Sequence, residues 1–387
     1  MLLVIWAIIC AAFLGISGSY FLYTKTMSRR PWNVKINKEY QPKVAILVPV
    51  HNEEKAIQLK LRNLAKIAYP SDKLEIILAN DASTDHSLEE VKAFEANNQS
   101  LKIRVFDSQE HLGKTSCLNR VLKSIDADVI VMSDADCFWP QDILAKALPF
   151  LSDPKVGAVC ARELLLNPQG SWVTHGEQFF DSAVESIRIG ESKIYSTIIF
   201  HGGFAVFKRN ILDEFDGDVD DSGTALSILQ KDRRTLLLPE TGFFTPFPTL
   251  WKNKLVIKLR RANQLQHLWA KCLGLMVKGK LRIPKRIALP EIFLHIFNPL
   301  LFIALVATTF LGLFEYPVFF GAVLLLFFSS LLLRKTRTIV LEVMQSNVIL
   351  FASLPSFVTK KGFRLWKTVQ ESRSLITEVA LKERNLV

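Results

Sequence analysis

Between Val44 and about Ala158, short apolar runs alternate with longer amphipathic stretches, and this alternation constrains the fold more than any other feature. Val44–Val48, Leu74–Ala79, Ile103–Phe106 and Val129–Met132 read as strands, because they are continuous, β-branched and bounded by polar residues. Glu54–Ile67, Ser87–Asn97 and Lys114–Ile125 read as the helices between them. A β-α-β-α-β-α-β succession implies an α/β domain with a parallel, doubly wound sheet and right-handed crossovers. Such sheets bind ligands beyond the carboxyl ends of their strands.

Polar clusters stand at those ends. Pro49-Val50-His51-Asn52-Glu53 follows the first strand, Asn80 to Asp85 the second, and Asp134-Ala135-Asp136 the fourth. Side chains two apart in extended chain point the same way. Asp134 and Asp136 therefore offer a hard oxygen site suited to Mg²⁺ or Mn²⁺ carrying phosphate oxygens. A lone D-x-D is common by chance, and a solvated turn is its bland explanation. Three polar strand ends on one rim weigh against that. Gly113-Lys114-Thr115 imitates the end of a P-loop, but Ser108 stands where the earlier glycine belongs, so an ATPase reading fails. No G-x-G-x-x-G follows the first strand, which disfavours a dinucleotide fold.

Composition bears on what surrounds this domain. Of the 387 residues 49% are hydrophobic, concentrated towards the two ends, and the formal charge of +11 clusters beside apolar segments. This pattern points to a membrane surface and not to nucleic acid. The five cysteines are odd in number and lack C-x-x-C pairs, so neither a disulfide framework nor a zinc site is expected. Residues 1–24 read as an uncleaved transmembrane helix, with Lys25, Arg29 and Arg30 after it; the positive-inside rule then puts the following domain (40–250) in the cytoplasm. Residues 251–286 read as basic interfacial helices, and 287–333 as a transmembrane hairpin of Ile292–Leu313 and Val318–Leu333. Within 338–387, Ile339–Val358 is interrupted by polar residues and flanked by basic ones, including Lys360, Lys361 and Arg364. It reads as interfacial or re-entrant, and Lys367–Val387 as a charged helix.

An ordered set of motifs carries a resemblance. V-P-V-H-N-E-E (48–54), N-D-A-S-T-D (80–85), H-L-G-K-T-S-C-L-N (111–119) and M-S-D-A-D (132–136) resemble the donor half of a family 2 inverting glycosyltransferase of GT-A fold. H-G-G-F-A-V-F-K-R (201–209) and D-V-D-D-S-G-T-A-L (218–226) continue it, so that it spans Val44 to about Leu268. The resemblance implies that the turn with Pro49, Asn52 and Glu53, together with Asp81, holds the base and ribose of a UDP-sugar. It implies Lys114 near the nucleotide, Asp134 near the ribose and diphosphate, and Asp136 on a divalent metal. Gly202 and Gly203 correspond to the acceptor-side glycine segment, and Asp221 to the catalytic base, with Asp220 as the neighbouring alternative. The chemistry has independent reasons. A departing nucleoside diphosphate needs a metal and fixed cations, and the acceptor hydroxyl benefits from a carboxylate on the opposite face. A single displacement inverts the anomeric centre, whereas a covalent intermediate would need a second, nearer carboxylate.

One segment departs from the processive members of that superfamily, which carry Q-x-x-R-W. Here the place reads Lys258-Leu259-Arg260-Arg261-Ala262-Asn263. Arg261 or Arg260 keeps the diphosphate-contacting arginine, but Ala262 stands where a tryptophan would stack on the acceptor. The expected function is therefore transfer of a sugar from a nucleotide sugar to a lipid or glycan acceptor at the cytoplasmic membrane face. A processive polysaccharide synthase and a non-catalytic membrane scaffold on the same fold are the alternatives.

Overall fold

The computed structural model describes residues 1–98, 101–217, 219–359 and 370–387. The chain divides into a helical unit (residues 1–29, 179–190 and 251–359) and a sheet-centred unit (30–178, 191–250 and 370–387). The helical unit opens with α1 (Leu2–Ser28), which is apolar on all sides and buries only Phe13, Tyr20 and Thr24, as a helix in lipid would.

The sheet-centred unit begins with β1 (Val44–Val50), buried along its whole length. α2 (Ile57–Ala65), β2 (Leu74–Asp81), α3 (Ser87–Asn97), β3 (Ile103–Ser108), α4 (Lys114–Leu122) and β4 (Val129–Met132) follow in the alternation expected from the apolar runs. α2 starts three residues later than periodicity suggests, because residues 54–56 form a turn. After β4 come α5 (Ile143–Leu151), β5 (Val156–Leu165), α6 (Trp172–Ile194), β6 (Ala205–Lys208), α7 (Asp220–Gln230) and β7 (Arg234–Thr245). Ser171 caps α6 through a capping box with Thr174.

Among the described residues the sheet has seven strands in the order β3-β2-β1-β4-β6-β5-β7. Its first four strands are parallel, as the alternation requires. Beyond the four expected strands the sheet is mixed: β6 runs antiparallel to both β4 and β5. Its N-terminal end therefore reaches the rim where the parallel strands end, and delivers Gly202-Gly203 there. Neither β1 nor β4 alternates apolar with polar residues, because both faces of this part of the sheet are buried. One core of aliphatic and aromatic side chains, including Ile46, Val131, Trp139 and Phe204, packs there.

The helical unit resumes with α8 (Trp251–Val277), α9 (Lys285–Ile292), a π-helical turn (Phe293–Phe297), α10 (Asn298–Glu315), α11 (Pro317–Ser330) and α12 (Arg334–Val358). Among the described residues three helical stretches are long and apolar enough to cross a membrane: Leu2–Ser28, Lys285–Glu315 and Thr336–Val358. α11 has 14 residues, fewer than the ~20 that span a bilayer unaided. α12 is one continuous helix, although polar residues interrupt its sequence. Its Glu342 lies 3.4 Å from the buried ammonium of Lys254, and its Ser353 and Ser356 meet Gln266 and Asn263 of α8. Inter-helix polar pairs of this kind are how helices in lipid satisfy such groups. The basic residues Lys360, Lys361 and Arg364 lie outside the described residues.

The C-terminal stretch is not one charged helix. It forms α13 (Gln370–Ser374) and α14 (Glu378–Lys382), with α14 capped by the Thr377 hydroxyl. Ile376, Leu381 and Leu386 pack with Ala56, Phe138 and Leu166 into a small second core. The Leu386 carbonyl accepts a hydrogen bond from Asn63, and Arg384 donates to the Leu166 carbonyl.

Candidate active site

The rim of the sheet gathers most of the residues singled out from sequence. Pairing of β4 with β1 stops at Leu47↔Met132, so Pro49, two residues further along β1, removes no ladder bond on that side. β1 and β2 both end in turns whose pivotal residue is neither glycine nor relaxed: Asn52 has φ +56° and Ala82 φ +53°. Such strain persists only where its surroundings enforce it. Here the two turns are laced together. The Asn52 side chain accepts from the Thr84 N–H at 2.8 Å, the Ser83 hydroxyl from the Asn52 N–H at 3.1 Å, and the Ser87 hydroxyl from the Glu53 N–H at 2.7 Å.

Asp81 is buried, and its oxygens accept the N–H groups of Leu112 and Gly113 at 2.7 and 2.8 Å, with His111 Nδ1 2.9 Å away. Gly113 has φ +82° at the start of α4, a conformation that suits glycine. Asp81 thus closes the 111–113 loop onto the second strand and aims Lys114, the next residue, into the rim. His51 and His111 stack with ring centroids 4.1 Å apart, forming a flat, partly exposed face that sequence reasoning did not single out.

The Lys114 ammonium lies 2.8 Å from Asp134 and 3.8 Å from Asp221. Asp221 therefore belongs to the same charged cluster as the D-A-D turn. Asp220 is the first residue of α7, and its side chain, like the whole of Asp218, lies outside the described residues. Gly202 explains how the cluster fits. A β-carbon there would stand 2.7 Å from both Asp134 and Asp221 and 2.9 Å from Lys114, so any side chain would displace the charges. The Gly202 carbonyl accepts the Asp134 N–H at 3.0 Å, and Trp139 donates to the Gly203 carbonyl at 2.7 Å. The glycine segment is thereby fixed to the D-A-D turn. A β-carbon on Gly203 would collide with the Phe243 ring.

Asp134, Asp136 and Cys137 bring ligand atoms within 4.8 Å of one another. Two carboxylate oxygens suit Mg²⁺ or Mn²⁺. Cys137 does not: burial and the neighbouring Asp136 and Asp134 charges push its thiol well above the ordinary range, so it stays protonated. Beneath the turn, Lys60 is fully buried and donates to the Ser133 hydroxyl at 2.6 Å and the Cys137 carbonyl at 2.5 Å. Burial draws its ammonium down to about 7, against the pull of Cys137, Asp134 and Asp136.

Two further features lie outside what sequence spacing signals. Arg373 of α13 forks onto both oxygens of Glu53, at 2.6 and 2.5 Å, and also bonds Asp136. Glu53 is 2% exposed, and its side chain faces this arginine, which also bonds Asp136 of the D-A-D turn. Its burial is the largest influence and pushes the carboxyl up to about 7, while Arg373 pulls it down. Arg260 and Arg261 belong to α8 of the helical unit.

Residues 45–216 match the family model described as Glycosyl transferase family 2. A β-monoglucosyldiacylglycerol synthase of Synechocystis sp. is 24% identical over 46% of this chain and 40% of its own length. A poly-β-1,6-N-acetyl-D-glucosamine synthase of Staphylococcus aureus is 28% identical over 50% of this chain and 47% of its own. The chain thus spans under half the length of these curated relatives. The mannosyltransferase PcManGT from Pyrobaculum calidifontis, solved in complex with GDP-Man and Mn²⁺, superposes with a TM-score of 0.79 at 28% identity. That match covers 93% of this chain and 100% of the other.

Proposed function

From the match of residues 45–216 to glycosyl transferase family 2, we propose that the chain is a glycosyltransferase that moves a sugar from a nucleotide sugar to a membrane-lipid or glycan acceptor with inversion. The observation that carries this reading is the cluster of Asp134, Lys114 and Asp221 around Gly202, with Asp136 beside Asp134. It sets metal-suited carboxylates, a fixed cation and a further carboxylate on one rim.

Asp136, with Asp134, would hold Mg²⁺ or Mn²⁺, and when bound the ion supplies charge for the departing diphosphate. The Mn²⁺ of the similar mannosyltransferase supports this. Lys114 adds a fixed cation for the same charge. Asp221 takes the proton from the acceptor hydroxyl, with Asp220 the alternative by one residue. The laced turns of Asn52 and Asp81 and the His51–His111 face form the side on which a base and ribose would lie. Arg260 or Arg261 is proposed to contact the diphosphate, on the resemblance of their segment to Q-x-x-R-W.

The sequence motifs suggest a UDP-sugar, whereas GDP-Man in the mannosyltransferase brings a purine nucleotide into consideration. A lipid acceptor draws support from the glucosyldiacylglycerol synthase and from three helices able to cross a membrane. Ala262 in place of a stacking tryptophan weighs against a processive synthase, although the poly-N-acetylglucosamine synthase is a relative. Membrane anchoring with the sheet-centred unit on the cytoplasmic side would give it access to nucleotide sugars.

The test is donor consumption. Purified protein in detergent with Mn²⁺ or Mg²⁺ is offered UDP-glucose, UDP-N-acetylglucosamine and GDP-mannose, with diacylglycerol or a polyprenyl phosphate as acceptor, and released nucleotide is measured. Acceptor-dependent release of UDP or GDP supports the reading. Absence of release from every donor and acceptor pair speaks against it.

A further inference from the structure

Arg373 bonds one oxygen of Asp136, the carboxylate proposed to hold the metal. Its guanidinium is 6% exposed and forks onto Glu53 with two nitrogens while a third bonds Asp136, the proposed metal ligand. The arginine is presented on a built element. Glu371, two residues earlier, accepts the Thr249 N–H at 2.7 Å, the Thr249 hydroxyl at 2.6 Å and the Leu250 N–H at 3.2 Å. On the other side α14 is anchored by Leu381 and Leu386 in their own apolar cluster. The short α13 carries Glu371 itself and no apolar side chain, so its Arg373 end can shift while Glu371 and α14 stay in place.

We propose that the C-terminal segment holds the metal carboxylate shut, with Arg373 and a divalent cation competing for Asp136. This rests on the reading of Asp136 as metal ligand. The guanidinium engages one oxygen of Asp136 and places a positive charge beside any incoming ion. The ion must therefore displace Arg373 from Asp136. Glu53 gives the arginine a second carboxylate, so release from Asp136 need not expel it from the rim. α13 would then report, by its own mobility, whether the metal is bound.

The test reads metal binding without turnover. Mn²⁺ affinity of the full-length protein is measured by electron paramagnetic resonance, in wild type and in Arg373→Met. Hydrogen exchange of residues 370–374 and 378–382 is followed in wild type with and without Mn²⁺. The expectation is about tenfold or greater tightening in Arg373→Met, from the removed charge repulsion. Mn²⁺ should also speed exchange at 370–374 and leave 378–382 protected. Unchanged or weaker Mn²⁺ affinity in a folded Arg373→Met protein overturns the proposal. So does unchanged or slower exchange at 370–374 in wild type, which needs no variant to fold. Asp136→Ala separates the premise from the inference: if it binds Mn²⁺ as wild type does, the metal assignment itself is wrong.

Discussion

Lys114 lies 2.8 Å from the carboxylate of Asp134. The same ammonium is 3.8 Å from Asp221, so one cation links the turn expected to hold the diphosphate with the candidate base. Replacing it should therefore disturb donor binding and chemistry together. Lys114→Met should lower turnover by ~10²–10³ and raise the donor KM, as removal of a preorganised charge partner does. Steady-state kinetics with varied donor decide. An unchanged donor KM would mean that Lys114 only positions Asp221.

Asp136→Ala should abolish turnover in a protein that remains folded and membrane-bound. Excess EDTA should do the same to wild type, and added Mn²⁺ or Mg²⁺ should restore it. Full activity in EDTA would remove the metal from the mechanism.

General-base help is worth ~10²–10⁴ in rate. Asp221→Asn should cost that much in turnover, and Asp220→Asn far less, with nucleotide affinity little changed in either, as measured by equilibrium binding. The opposite order would shift the base by one residue. Equal loss of nucleotide binding in both would make this segment part of the donor site.

Lys60 offers a pH signature. Its folded value of about 7 lies below the ordinary 10.5. Below pH 7 the lysine is protonated in folded and unfolded chains alike, and the full cost of burying the charge is present. Between pH 7 and about 10.5 only the unfolded chain binds that proton, so stability rises with pH by roughly 1.4 kcal/mol per unit. Denaturant midpoints in detergent at pH 7 and 9 should therefore differ more in wild type than in Lys60→Met. Parallel slopes would show that the buried ammonium is not the titrating group.

Residues 370–387 belong to the same unit as 30–178 and 191–250, so a chain inserted in a membrane between them would have to cross it an even number of times. Either α10 and α11 would cross, or α10 and α12 would. α12 is the longer helix, but Arg334, Lys335 and Arg337 at its start favour a cytoplasmic position for residues 331–333. A cysteine at Tyr316 should then be labelled from outside, and one at Leu332 only after permeabilisation. External labelling at Leu332 would make α12 the second crossing.

The four parallel strands and their polar ends were legible because each is a local signal: a β-branched run followed by Asn, Asp or Pro. The direction of β6 was not. Ala-Val-Phe-Lys is a strand pattern that reads alike for parallel and antiparallel pairing. Gly202 could be named from its motif, but its reason, three charges converging where a β-carbon would sit, exists only in space. Arg373 carried no signal at all, since its partner Asp136 lies 237 residues earlier and no spacing rule reaches that far. The tail misled for a related reason: its charges dominate the pattern, while Leu381 and Leu386 are the residues that bury it.

The antiparallel course of β6 also maps where this domain can tolerate change in length. Met132 pairs with Ala205 and Val129 with Lys208, so the strand acts as a ruler whose zero mark is the Gly202–Asp134 bond. An extra residue after Lys208 leaves that mark untouched. One inserted between Gly203 and Ala205 must either slip the ladder, turning every side chain of β6 to the other face, or carry the glycine pair ~3.3 Å off the carboxylates. Relatives that diverge in length should therefore do so beyond Lys208, and a library aimed at new acceptors should vary the chain there and leave 202–205 at fixed length.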